Sequence, residues 1–166
     1  RDLVDNNGIE LKGKRLLLLG AGGAARGVIE PLLSYQPTEL VIANRTASKA
    51  QDLAELFAEF GSVSGGGYDE VSGTFDVIIN ATAASLQGEV PPLTDDILNT
   101  NASCYDMMYS NEDTAFIVWA KQHGVAKTVD GLGMLAEQAA EAFRIWRGIK
   151  PETGTVIDQI QSQLNK

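Results

Sequence analysis

The sequence has almost none of the residues from which covalent and metal-bound scaffolds are made. It holds one cysteine, Cys104, and one histidine, His123. A lone cysteine excludes an internal disulfide and a multi-cysteine metal site, and a lone histidine excludes a histidine-rich one. No metal ligand set is expected. A basic excess is missing as well: 13 Lys and Arg stand against 22 Asp and Glu, for a net charge of −9. Such a chain has no global field to draw nucleic acid or an anionic membrane surface, and neither partner is expected. Any anionic ligand must be held by local cations or backbone dipoles. No apolar run nears the roughly 20 residues of a membrane span. The run Leu16–Leu19 leads into glycines and does not read as a signal peptide. What is present is ordinary: 44% hydrophobic and 21% charged residues over 166 positions, enough for one domain with a sizeable core. The single thiol suits a reducing compartment, and a cytoplasmic protein is expected. The chain begins at Arg1 and not at Met, which leads us to expect a segment of a longer protein.

Apolar runs alternate with helical periodicity. Leu16–Leu19 stops at Gly20-Ala21-Gly22-Gly23, the pattern of a strand buried on both faces followed by a tight turn. Ala25, Val28, Ile29, Leu32 and Leu33 then share one helical face. Pro31 lies within that stretch and predicts a kink or an early end, since it removes a backbone donor. Further strands are expected at 39–43, 62–64 (weak, near an edge), 75–79, 102–106 and 126–129. Helices are expected at 47–60, 94–98 (short), 114–123, 133–147 and 152–164. Strands alternating with helices imply right-handed parallel βαβ units. The expected fold is one α/β domain over 1–166: a doubly wound, mostly parallel sheet with helices on both faces, Rossmann-like and dinucleotide-binding.

Gly20-Ala21-Gly22-Gly23-Ala24-Ala25 fits G-x-G-x-x-A between a strand and a helix. The first glycine permits the turn, and the second lets backbone approach a pyrophosphate. The small third residue lets helix and strand pack closely, and free amides at the helix start face the anion. The next strand ends in Ala43-Asn44-Arg45-Thr46, with no acid to accept from ribose hydroxyls. Arg45, Thr46 and Lys49 instead offer two cations and a hydroxyl to a 2′-phosphate. Another reading has Asn44 or Thr46 merely capping the helix while Arg45 and Lys49 are solvated. Asn80-Ala81-Thr82 follows the strand at 75–79 and should border the ligand, since ligands lie beyond the carboxyl ends of such strands; the alternative is an Asn–Thr turn that satisfies its own backbone. Met107 and Tyr109 end the next strand at the same rim. Gly131 and Gly133 follow the last strand, where glycines allow a flat ring to come close. Asp106 and Asp130 end strands and read as turn or cap residues. Cys104 reads as a small buried hydrophobe, and His123 as a helix-end residue.

In this order and spacing, these motifs resemble the C-terminal NADP-binding domain of the shikimate dehydrogenase family. The resemblance rests on Gly20-Ala21-Gly22-Gly23-Ala24, Asn44-Arg45-Thr46 with Lys49, Asn80-Ala81-Thr82, Tyr105-Asp106-Met107-Met108-Tyr109, and Asp130-Gly131-Leu132-Gly133-Met134-Leu135 with Gln138. It implies NADP(H) as cofactor and reversible reduction of 3-dehydroshikimate to shikimate, a step of aromatic amino-acid biosynthesis. It also implies that Gly20, Ala21, Gly22, Gly23 and Ala24 hold the pyrophosphate and that Asn44, Arg45, Thr46 and Lys49 hold the 2′-phosphate. Asn80, Ala81 and Thr82 would line the cofactor, and Met107 and Gly131 would border its nicotinamide. Tyr109 and Gln138 would reach shikimate or 3-dehydroshikimate. The chain departs from the family after Thr82, with Ala83-Ala84-Ser85 where Ser-Ser-Gly or similar is frequent.

The family's catalytic Lys–Asp pair belongs to an N-terminal domain that nothing in these 166 residues resembles. No catalytic residue is therefore assigned. Residues 1–13 and 152–166 are expected to adjoin that missing domain and to expose Leu3, Val4, Ile9, Leu11, Val156, Ile157, Ile160 and Leu164, unless 152–164 folds back onto the sheet. The alternative is a free-standing, non-catalytic dinucleotide-binding sensor or assembly module. Quinate-using relatives share the same half-site.

Overall fold

Leu16, Leu17, Leu18 and Leu19 are all inaccessible to solvent, because their strand has a neighbour on each edge and cover on each face. The structure is a computed structural model that describes residues 1–164. Its elements run β1 (Arg15–Leu19), α1 (Gly23–Ser34), β2 (Glu39–Ala43), α2 (Ala47–Phe57), β3 (Val63–Gly66), β4 (Phe75–Asn80), β5 (Leu98–Asp106), α3 (Ala115–Gln122), β6 (Lys127–Val129), α4 (Leu132–Arg147) and α5 (Gly154–Leu164). The strands form one six-stranded sheet in the order β3-β2-β1-β4-β5-β6. All five ladders are parallel, as the alternation of strands and helices predicts. Successive side chains point to opposite faces. Leu16 and Leu18 join Ile29, Leu33 and Leu53 beneath α1 and α2, while Leu17 and Leu19 join Phe116, Ile117 and Ala120 of α3.

The order matters for function. The chain leaves β1 towards β2 on one side and returns to β4 on the other, which opens a crevice at the carboxyl ends of these strands. Register brings Leu19 opposite both Ala43 and Asn80. The glycine turn, the end of β2 and the end of β4 therefore share one rim.

Four expectations need correction. Helix α1 runs through Pro31 to Ser34 without ending early. Gly27, whose carbonyl loses its partner at Pro31, is exposed, so water can satisfy it, while Leu32 and Leu33 beyond remain buried. Helix α2 stops at Phe57, and Ala58–Phe60 tightens into a 3-10 turn. Strand β5 begins at Leu98 and not at 102: its first residues Asn99, Thr100 and Asn101 are exposed, and the pairing with β4 slips between Phe75 and Val77. The fourth correction concerns the amino-terminal segment. Asp2–Asn6 forms a π-helical turn, and Leu3, Ile9 and Leu11 are buried in the core of this domain, with Val4 half-buried against it. They pack on their own sheet, where Leu3, Val4 and Leu11 line an apolar pocket with Val28, Leu32 and Met134.

At the other end, Ile157, Ile160 and Leu164 of α5 are half-buried and Val156 is exposed. Among the described residues the strongest apolar exposure lies nearby, at Ile145, Trp146 and Ile149, with Phe143 also exposed. The expectation for 152–166 reaches residues 165 and 166, which lie outside the described residues. Among the described residues, no helix is long and apolar enough to cross a membrane.

Candidate functional site

On the β1–β2 side, the rim is built from backbone and from exposed side chains. Gly20 has φ +104°, and a Cβ there would lie 3.0 Å from Thr82 Cγ2 and 3.4 Å from the Ala81 backbone. The chain itself thus demands glycine at this turn. At Gly22 the reason differs. Its φ of −88° suits any residue, and a Cβ there meets nothing within 4 Å. Gly22 is also the N-cap of α1 and supplies no side chain to the helix amides. The first intrahelical bond runs from Arg26 N to Gly22 O, so the amides of Gly23, Ala24 and Ala25 have no partner among the described residues. A 12-residue helix thus presents an uncapped positive end to open space.

At the end of β2, Asn44 donates from Nδ2 to Thr46 O at 3.0 Å and so shapes the turn into α2. Thr46 is the N-cap of α2, yet its hydroxyl makes no capping bond. The capping alternative therefore holds for the position of Thr46 but not for its side chain. Arg45 and Lys49 are exposed and form no ion pair with any described residue, in a chain of net charge −9. Asn44, Arg45, Thr82, Gln87 and Val90 line a cleft that Tyr68 also enters. Burial raises the Tyr68 phenol above its ordinary range, and the Arg45 charge opposes that.

The β4–β5 side is built differently. Asn80 and Asp106 are wholly buried at the ends of these strands. Asp106 Oδ1 accepts from Asn80 Nδ2 and from Met108 N, each at 3.0 Å, and Oδ2 accepts from Thr114 Oγ1 at 2.6 Å. Asn80 Oδ1 accepts from Thr82 N at 3.1 Å and Thr82 Oγ1 at 2.7 Å. Met107 N donates to Asn80 O at 2.9 Å, and Gly131 N to Met108 O at 3.0 Å. A Cβ on Gly131 would stand 2.2 Å from Met107 O, so that position admits only glycine without a shift of backbone. Met107 is buried but lines an open cleft with Leu86, Met108, Tyr109, Asn111 and Glu112. Tyr109 is 43% exposed, and Gln138 is exposed on α4.

The structure thus brings Gly20, Asn80, Ala81, Thr82, Met107 and Gly131 into direct register, with Asn44–Lys49 at the same rim. Tyr109 shares the cleft of Met107, while Gln138 makes no hydrogen bond to a described residue. Sequence reasoning missed Tyr68, Ser85 and Thr114. Tyr68 sits in the segment between β3 and β4, where no motif flags it. Asn80 Nδ2 also donates to Ser85 Oγ at 3.3 Å, and Thr114 is the N-cap of α3. Asp130 Oδ1 accepts from Leu132 N at 3.1 Å, the turn role expected of it. His123 caps α3, with its ring against Trp119. Cys104 is inaccessible, and burial pushes its thiol up to about 12.

Known proteins share this arrangement. Residues 2–88 match the family described as shikimate / quinate 5-dehydrogenase, and residues 131–161 match the shikimate 5'-dehydrogenase C-terminal domain. The chain is 54% identical over 163 residues to a shikimate dehydrogenase (NADP(+)) of Alkalilimnicola ehrlichii, covering 98% of this chain and 60% of that protein. A protein of the same name from Aeromonas salmonicida is 56% identical over 161 residues, 97% of this chain and 59% of that one. The crystal structure of an Ael1 enzyme from Pseudomonas putida superposes with a TM-score of 0.87 at 46% identity, over 96% of this chain and 59% of that chain. The chain therefore spans about 60% of the length of the relatives it matches. The six-stranded parallel order, the glycine turn at its switch point and these matches have one conclusion: the chain belongs to the shikimate / quinate 5-dehydrogenase family.

Proposed function

We propose that this chain is the NADP(H)-binding part of a shikimate dehydrogenase, which interconverts 3-dehydroshikimate and shikimate in the cytoplasm. The observation that carries the reading is the pair of unpaired cations, Arg45 and Lys49, beside a strand end that has no acid. Their guanidinium and ammonium groups fit a 2′-phosphate, and Thr46 adds a hydroxyl. The free amides of Gly23, Ala24 and Ala25 fit the pyrophosphate, and the open space at Gly22 leaves room for it. Glycine at 22 is unexplained by packing within the chain, so its reason lies in what approaches from outside.

NADPH bound here supplies a hydride to the substrate carbonyl. The residues of this chain hold and orient. Arg45, Lys49, Asn44 and Thr46 anchor the adenosine end, and Asn80, Ala81 and Thr82 line the middle of the crevice. Met107 and Gly131 would border the nicotinamide. Tyr109 and Gln138, both exposed, are placed to meet substrate, a role that a pure sensor would not require. Catalysis needs a Lys–Asp pair from a further domain, since hydride transfer requires both reactants at close approach. Segments 1–13 and 152–166 lie nearest that domain in our reading. The exposed Phe143, Ile145, Trp146 and Ile149 support an apolar seat for it beside α5.

Side-by-side calorimetric titration with NADP and NAD tests the reading. NADP should bind more tightly, and Arg45→Ala should remove most of that preference, about 1.5–3 kcal/mol for a charge-assisted contact, with NAD affinity unchanged. The same preparation should give no shikimate-dependent NADPH formation. Equal affinities for the two cofactors would sink the cofactor assignment, and sustained turnover would sink the division of labour.

A further inference from the structure

We propose that Asp106 is a positioning residue that sets both loops bordering the nicotinamide, one through the Asn80 amide and the other through the Met108 backbone amide, so that binding of the nicotinamide end depends on it and binding of the adenosine end does not. The inference rests on the cofactor reading above.

A primary amide can sit either way round in its pocket. At Asn80 the choice is dictated from outside. Asp106 Oδ1 lies 3.0 Å away, and a carboxylate only accepts, so the amide nitrogen must face it. The amide oxygen is thereby turned towards Thr82, where it takes the backbone N–H and the hydroxyl proton. With its proton committed, the Thr82 oxygen is left to accept from Ala84 N at 3.4 Å. The conformation of 80–84 thus follows from an acid on a different strand.

The same carboxylate acts on the second loop. Oδ1 also accepts from Met108 N and so fixes the turn that carries Met107. Oδ2 takes the Thr114 hydroxyl, whose oxygen accepts from Ile117 N and ties in the start of α3. Asp106 is 0% exposed, so water cannot replace any partner lost. A buried donor left unpaired costs more than the bond was worth. Among the described residues none of these groups hydrogen-bonds to Arg45, Lys49 or the α1 amides, although Thr82 lines the same cleft as Arg45 and its methyl group faces Gly20.

The test compares two probes by calorimetry: NADPH, and 2′-phospho-ADP-ribose, which lacks the nicotinamide. Asp106→Ala should weaken NADPH roughly tenfold, one to two net hydrogen bonds, and leave 2′-phospho-ADP-ribose within about twofold. Asp106→Asn should restore most of the NADPH binding, because its oxygen still accepts from Asn80 and Met108, the two bonds that set the loops, and only the Thr114 hydroxyl loses its acceptor. Should Asp106→Ala not fold, as judged by circular dichroism, Asn80→Ala removes the same link from the other side and should show the same signature. Equal loss for both probes, or no rescue by Asp106→Asn, overturns the proposal while leaving the cofactor reading intact. Equal affinity of the unsubstituted chain for the two probes overturns the proposal, since the nicotinamide would then have no wall here, whereas the cofactor reading fails separately, on equal affinities for NADP and NAD.

Discussion

The two halves of the ligand rim are made on opposite plans. The β1–β2 half is loose: exposed glycines, an uncapped helix start, and two cations with no ion-pair partner among the described residues. The β4–β5 half is already bonded to itself, with Asn80 and Asp106 buried and every loop residue from Asn80 to Thr82 tied to a neighbour. The chemistry of the two ends explains the contrast. Phosphate charges supply strong acceptors of their own, so the protein need only leave donors free. A flat ring that must be held at one angle supplies little, so the protein must build the wall in advance. In the cofactor reading proposed above, one half would gain its order from the ligand and the other would bring its order to it.

This contrast is open to direct attack. In the loose half, a bulky change should cost binding and spare the fold. Gly22→Val should abolish calorimetric binding of NADP and NAD alike while the circular dichroism spectrum and melting temperature stay unchanged. A variant that binds normally would break the glycine-turn assignment. In the built half, the order of effects reverses. Gly131→Ala drives a methyl towards Met107 O, 2.2 Å away, and should destabilise the fold by about 1–3 kcal/mol, read by urea unfolding. No loss of stability would show that this half is as yielding as the other.

The smallest effect concerns charge. Burial raises the Asp130 carboxyl above its ordinary range; the bond from Leu132 N opposes this, and Asp2, Asp106 and Asp113 add to it. The folded protein therefore holds this proton more tightly than the unfolded chain does. Stability from this group is full below the unfolded value of 3.8 and is lost as pH rises through the raised folded value. Asp130→Asn keeps an acceptor for Leu132 and removes that loss. Its melting temperature should rise modestly at neutral pH and not at all near pH 3.8. A gain of the same size at both pH values would exclude titration as the cause.

Much of the loose half was legible in the sequence. Its parts are contiguous, Gly20 to Ala24 and Asn44 to Lys49, and contiguous motifs have spacing to read. Central strands were legible for the same reason, since Leu16–Leu19 and Val77–Ile79 are apolar without interruption. The built half was only half legible. Asn80, Met107 and Gly131 could be named, but the bond from Asn80 to Asp106 joins residues 26 apart, and no local pattern encodes it. The polar opening of β5 hid its first turn of strand, because Asn99 pairs with Asp76 through side chains and not through an apolar face. Leu3, Ile9 and Leu11 lie too irregularly along the chain to reveal that they reach the core. Gly20 and Gly22 look alike as letters, yet one is required by the chain's own backbone and the other by the space above it.

Cys104 lies in the middle of β5 with no solvent contact, and its thiol is pushed up to about 12 by burial. Alkylating reagents attack the thiolate, so the native protein offers them neither access nor a reactive form. Since the chain holds no other cysteine, every labelled molecule is one whose central sheet has opened. The protein thereby carries its own stopwatch: with reagent in enough excess that labelling outpaces reclosing, the rate of thiol labelling under native conditions measures how often β5 leaves its neighbours, with no residue changed.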